Sequence, residues 1–262
     1  MERCRTELGL RYLQPGRFIC MGPKNDAPFM WFFPADNVPD HPLHASMAER
    51  LKERYEAYKA DVKANFISSY FSKFDRQIVL VDVLGALNAG KAAYEDTERA
   101  IADIAKCLAG DSSLLGRFLG QQTPKHVAFV ATKADHVPEL QRDNLRSLLR
   151  AMSQPARNHG PVSGDAVSYH VAASILSTRD GWIDHENRPC EAIVWGRRLG
   201  DIKDMAYQTG SIPIGRPPEG FWSGRYFELP TFTPPAIDAS GTLGIRHLGL
   251  DTVMAKLIGD QL

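Results

Sequence analysis

Three short apolar runs, separated by longer stretches of helical period, set the pattern of this chain. Ile78–Val81 is a continuous apolar run rich in β-branched residues, and Lys125–Ala131 and Ala166–Ser174 carry similar runs. A strand covered on both faces of a parallel sheet reads this way. After the first run come the turn formers Asn88 and Gly90, and then the period lengthens to about 3.6 residues. Ile101, Ile104, Ala105 and Leu108 fall on one face of a helix over 92–108. After the second run, Leu140, Leu145, Leu148 and Leu149 mark a helix from His136-Val-Pro-Glu to about Met152. Strands alternating with helices predict an α/β core in which 78–82, 126–132 and 168–172 are neighbouring parallel strands.

The flanks have other patterns. Arg17–Met21 and Pro28–Phe33 read as two strands around a Gly-Pro turn, with the aromatic cluster Phe29, Trp31, Phe32 and Phe33 as core. Leu43 to Phe71 reads as one long helix, with Leu43, Met47, Leu51, Tyr58, Val62 and Phe66 at helical spacing. Beyond Ser174, strand-like pieces surround Ala192–Trp195, and prolines and glycines crowd 201–240. That stretch is ordered, because Phe221, Trp222, Tyr226 and Phe227 need burial. Leu243–Leu262 reads as a terminal helix returning to the sheet. The division that results is 1–72, a strand-containing opening segment with a long helix; 73–176, a core half; 177–242, a Pro/Gly-rich insertion; and 243–262, the terminal helix.

Composition narrows the function classes. Lysine and arginine number 31, as do aspartate and glutamate, so there is no global field to attract nucleic acid or an anionic surface. Cys4, Cys20, Cys107 and Cys190 are scattered with no C-x-x-C, which reads as reduced thiols and a cytoplasmic setting. No stretch approaches the roughly twenty apolar residues of a transmembrane helix. The histidines form no H-x-x-x-H pair, and neither a G-x-S-x-G elbow nor a G-x-G-x-x-G after a strand occurs.

Candidate chemistry gathers at the strand ends, where open α/β sheets bind ligands. Asp82 ends the first strand, and three readings compete for Asp82 and the residues after it. Gly85–Ala92 matches the phosphate loop G-x-x-x-x-G-K-[ST] except at Ala92, which lacks the hydroxyl that would hold Mg²⁺. Glu95, Asp96 and Glu98 near the next helix start would also repel a phosphate. Alternatively, Asp82-Val-Leu-Gly85 is the D-x-x-G of a GTPase, or Asp82 simply caps an ordinary βα unit. The second strand ends in Thr132-Lys133-Ala134-Asp135, the guanine-reading [NT]-K-x-D pattern. There an aspartate accepts from the guanine N1–H and N2–H₂ edge while the lysine stem lies along the base. The third strand ends in small residues that would let a backbone N–H approach the base oxygen.

Several strings together resemble the bacterial YcjX-like family. They are Asp75–Asp82 with Leu87-Asn-Ala-Gly90, the Ala131–His136 turn and Gly244–Asp251, with Leu13–Phe18 and Arg54–Lys59 in support. The resemblance covers nearly the whole chain. It implies a stress-associated, Ras-like P-loop GTPase: a partial P-loop NTPase three-layer sandwich with a mainly parallel sheet and helical and loop-rich insertions. It assigns Asp82 and Gly85 to the D-x-x-G role, with Asp82 reaching Mg²⁺ through water. It assigns Thr132, Lys133 and Asp135 to guanine recognition and places Ala172 and Ala173 near the base. GTP and Mg²⁺ are the implied ligands, with an unidentified protein as a further partner. The family carries its phosphate loop in an N-terminal half, so the chain is expected to be a truncated, C-terminal portion incomplete for hydrolysis. The alternative is a nucleotide-independent interaction protein, a pseudo-GTPase scaffold.

Overall fold

Runs 76–81, 126–131 and 167–171 pair in parallel, as expected from their apolar, β-branched composition. In the structure, a computed structural model, residues 42–62, 64–65, 73–108, 124–154, 166–185, 188–224, 229–236 and 244–261 are described. The chain divides into two compact units, Met1–Phe74 and Asp75–Leu262. In the first, α1 spans Pro42–Val62. The longer helix expected to Phe71 is described as regular only that far, and 66–71 lie outside the described residues, as do the two strands expected at 17–33.

The second unit holds the sheet. Its strands are β1 (Arg76–Val81), β2 (His126–Ala131) and β3 (Val167–Val171), in the order β1-β2-β3. Both pairings are parallel, and Val81, Ala131 and Val171 stand level across the sheet. Side chains alternate between its faces. One face packs on the helix Glu139–Met152, whose Leu145, Leu148, Leu149 and Met152 are buried. On this side Phe129 and Tyr169 stack, with ring centroids 5.7 Å apart. On the other face Ala128 and Val130 pack against Val253 and Leu257 of the last helix, Leu250–Ile258. That cover stops short of β1, where Ile78 and Leu80 remain 44% and 68% exposed.

Two helices, not a turn and one helix, come after β1. Helix α2 spans Val83–Ala89 and α3 spans Lys91–Leu108, with Gly90 at φ +101° between them. The turn formers at 85–90 misled because Val83, Leu84, Ala86 and Leu87 are all buried, and Asp82 caps α2 by accepting from the Gly85 N–H. Tertiary burial outweighs the weak helix propensity of Gly85 and Asn88. Helix α4 is Glu139–Met152. A second sheet then forms from β4 (Thr178–His185), β5 (Arg188–Gly196) and β6 (Met205–Tyr207), all antiparallel. Helix α4 clamps it: Arg142 pairs with Asp180 at 2.7 Å, and Gln141 exchanges hydrogen bonds with Gly210 O and Ile212 N.

The terminal helix α5 is shorter than expected, Leu250–Ile258. Residues 244–248 are non-helical instead, because Leu248 exchanges both backbone hydrogen bonds with Ala173 and Arg246 O accepts from Leu176 N–H. Gly249, at φ +70°, makes the sharp change into α5. Arg76 then ties the far end of the helix to β1, donating to Leu257 O and pairing with both Asp260 carboxylate oxygens. That guanidinium holds the Asp260 carboxyl down at about 2.

A Cβ at position 249 would stand 2.4 Å from Val171 O, in a backbone conformation unfavourable to side chains. Gly249→Ala should therefore cost about 1–3 kcal/mol, more than the few tenths usual for a surface change. Urea unfolding followed by circular dichroism measures this as a lower midpoint at unchanged slope. A midpoint equal to that of the unsubstituted chain would mean that residue 249 tolerates a left-handed alanine and that α5 is not fixed by this turn.

Candidate functional site

The level ends of β1, β2 and β3 place Asp82, Thr132 and Ala172 side by side. The hydrogen-bond ladder continues past the strands: Thr132 N–H donates to Val81 O at 3.0 Å and Ala172 N–H to Ala131 O at 2.9 Å. Lys133 comes next at φ +60°, ψ +33°, the one non-glycine residue with positive φ among the described residues. A left-handed lysine costs about 1–2 kcal/mol, so its surroundings must hold it there. They do: Ala134 N–H donates to Ala172 O at 3.1 Å, and Arg142 Nε to Ala134 O at 3.1 Å.

Gly85, Thr132, Lys133, Asp135, Ala172 and Ala173 all line one cavity of about 650 Å³. That is ample for a small-molecule site. Asp135 is 3% exposed, and its Oδ2 accepts from Ser177 N–H at 2.8 Å. A carboxylate has about four acceptor positions, so Ser177 leaves capacity for a ligand. Ala172 and Ala173 stand at the cavity, but their amides are spent on Ala131 O and Leu248 O. The next two residues, Ser174 and Ile175, also line it, and their N–H groups make no hydrogen bond among the described residues. Nothing in the string Val171–Ile175 shows where the strand gives way to the bridge with Leu248.

One further part of the lining was not foreseen. It comes from Leu229–Phe232, in the Pro/Gly-rich region, which the second sheet holds in place. Leu199 N–H donates to Thr231 O and Thr233 N–H to Arg197 O, at 2.8 and 2.7 Å, while Leu229 N–H reaches Asn88 Oδ1. Phe232 is buried, edge-on to Tyr207 and His136 at 5.2 and 4.9 Å. His136 lines the cavity beside Asp135, with Nε2 3.8 Å from Oδ1 and, among the described residues, no hydrogen-bond partner for Nδ1.

The stretch once open to a phosphate-loop reading, Gly85–Ala92, is almost wholly helical. The Gly85 amide is bound to Asp82, and Lys91 Nζ pairs with Glu219 at 2.5 Å. Nearby Arg216 meets Glu95 and Glu98, and Trp222 tilts against Tyr94 at 5.5 Å. Lys91 thus fastens the 216–223 segment to α3. No group of three or more His, Cys, Asp or Glu able to hold a metal ion occurs among the described residues, and no helix there is long and apolar enough to cross a membrane.

Burial pushes the His136 imidazole below its ordinary value, Lys133 lowers it further, and Asp135 and Asp82 pull the other way. The histidine is therefore neutral in the fold at pH 7, whereas the unfolded chain takes up the proton first as pH falls. Its contribution to stability is complete above the unfolded value of about 6.5 and is lost as pH falls from there toward the folded value. His136→Gln should flatten the fall in urea midpoint between pH 7 and pH 5, relative to the unsubstituted chain. Identical slopes in the two proteins would remove His136 from the pH response.

With this geometry in hand, comparison with known sequences places the chain. A sequence model described as the YcjX-like family matches residues 1–262. The chain is 33% identical to a protein of Escherichia coli named Ras-like GTPase YcjX, aligned over all of this chain and 57% of that protein. It is 31% identical to a protein of the same name from Shewanella oneidensis, over 97% of this chain and 54% of that one. The chain therefore spans about half the length of the curated relatives it matches. It belongs to the YcjX-like family.

Proposed function

We propose that this YcjX-like chain carries the base-reading side of a guanine-nucleotide site, in a cytoplasmic protein that binds and hydrolyses GTP. One observation carries the reading: the Thr132-Lys133-Ala134-Asp135 turn and the loop after β3 open into the same cavity. The buried Asp135 carboxylate offers acceptors to guanine N1–H and N2–H₂, a pair of donors that adenine lacks. The Lys133 stem gives the ring an apolar surface, and the amides of Ser174 and Ile175, unbonded among the described residues, suit the base oxygen. The relatives' name, Ras-like GTPase, supports the same assignment.

The phosphate side has different support. Hydrolysis of GTP depends on positioning and on stabilising charge around the phosphates. The helical Gly85–Ala92 stretch has neither the looped amides nor a free lysine for that task. In this reading the phosphates are held by parts of the family's architecture other than Gly85–Ala92. A second reading, a scaffold that uses no nucleotide, draws on the internal partners that Lys133 and Asp135 already have.

Calorimetric titration with guanosine, GTP and adenosine separates these readings. Guanosine should bind weakly, near the millimolar range that corresponds to about 4 kcal/mol. GTP with Mg²⁺ should be only a few-fold tighter, adenosine should not bind, and no GTP turnover should be seen. Asp135→Ala should abolish binding and Lys91→Ala should leave it unchanged. Equal affinity for adenosine would refute base reading by Asp135. Micromolar GTP binding lost on Lys91→Ala would restore Gly85–Ala92 as a phosphate loop, and no binding of any nucleoside at saturating concentration would leave the scaffold reading.

A further inference from the structure

Asp82 and Lys133 lie 51 residues apart in sequence, yet Lys133 Nζ stands 2.6 Å from Asp82 Oδ2. The contact arises from topology. Because β1 and β2 pair directly and end level at Val81 and Ala131, the first residue after β1 faces the first residues after β2. The other carboxylate oxygen, Oδ1, accepts the Gly85 N–H at 2.9 Å, which seats Asp82 on the N-terminus of α2. The absence of a side chain at Gly85 is required for this, since a Cβ there would lie 2.6 Å from Asp82 Oδ2. The carboxylate is thus gripped from one side by a helix start and from the other by the lysine.

This arrangement does not fit the role of a magnesium-side aspartate. Each oxygen has a protein donor, one of them a full positive charge that repels a cation approaching the same carboxylate. No second acidic, cysteine or histidine ligand set is grouped with it among the described residues. Lys133, for its part, sits in a left-handed backbone conformation beside the cavity, so the direction of its stem is decided locally and by whatever holds its ammonium.

We infer that Asp82 is a positioning residue for guanine recognition: it anchors the Lys133 ammonium so that the lysine stem lies across the cavity as a surface for the base. The D-x-x-G spacing Asp82–Gly85 serves this by letting the carboxylate cap α2 and still reach Lys133. The inference rests on the base-reading assignment made above and adds to it a residue that acts through Lys133 rather than through a metal.

The test compares the unsubstituted chain with Asp82→Asn, which keeps an oxygen for the Gly85 N–H but loses the charge, and with Asp82→Ala. Guanosine, which has no phosphate and no need of Mg²⁺, is the decisive probe; GTP is titrated with Mg²⁺ and with EDTA. Both variants are expected to weaken guanosine about three- to fivefold, the scale of an exposed ion pair. GTP should weaken by the same factor with and without Mg²⁺. Adding Lys133→Met to Asp82→Asn should produce no further loss beyond that of Lys133→Met alone, the signature of two residues acting as one. If Asp82→Asn leaves guanosine binding intact and weakens GTP only when Mg²⁺ is present, Asp82 serves the metal and the inference fails while base reading stands. If the unsubstituted chain binds no guanosine, base reading fails and takes this inference with it. Urea midpoints of the variants show whether Asp82→Ala also unseats α2, in which case Asp82→Asn alone decides.

Discussion

Thr132 N–H to Val81 O and Ala172 N–H to Ala131 O extend two parallel ladders one residue past their strands, and everything at the cavity depends on that alignment. A shift of one residue in a strand sends each of its side chains to the opposite face. Here such a shift would also move Asp82 off Lys133, or carry the Ala172–Ile175 loop away from Asp135. The register is held by burial, not by the loops. Val127–Ala131 of β2 are all buried, with α4 on one face and α5 on the other. Lys133 and Asp135 follow directly on this fully buried strand.

Strand β2 was legible because a strand buried along its length has a composition that a surface segment does not; β1 was legible from its β-branched run alone, since the double cover expected of it is missing at the exposed Ile78 and Leu80. Helix α4 was legible from its leucine period and its Pro-Glu start. Helix α2 was not, since its glycine and asparagine are poor helix formers, and only tertiary burial of Val83, Leu84, Ala86 and Leu87 reveals why they are helical. The start of α5 was misread for the converse reason. Gly244–Leu248 has apolar residues at helical spacing, but its backbone is committed to Ala173 and Leu176, partners roughly seventy residues upstream. At the site, local strings identified Thr132, Lys133 and Asp135, and those residues do share a cavity. What no local string contains is which strand end faces which, and the Asp82–Lys133 contact is of that kind.

The small antiparallel sheet illustrates the same division between local pattern and placement. A strand was expected around Ala192–Trp195 and is there in β5, but Asp180-Gly181, a turn signal in the sequence, lies inside β4; the sheet's contribution lies in what it holds. Through Arg198–Phe232 and Thr233–Arg197 it fixes the Leu229–Phe232 wall, and through Asp180 it returns to α4, taking both the Glu139 N–H and the Arg142 guanidinium. Arg142 also donates to Ala134 O, inside the turn that carries Lys133 and Asp135. One arginine thus joins the small sheet to the Thr132–Asp135 turn. An exposed ion pair alone would count for little, but the Arg142 side chain is largely buried and its donors meet two acceptors at once. The Pro/Gly-rich region is therefore better understood as part of the cavity's frame than as an appended insertion: remove its hold on Phe232 and the hydrogen bond that remains to the 229–232 stretch among the described residues is Leu229 N–H to Asn88 Oδ1.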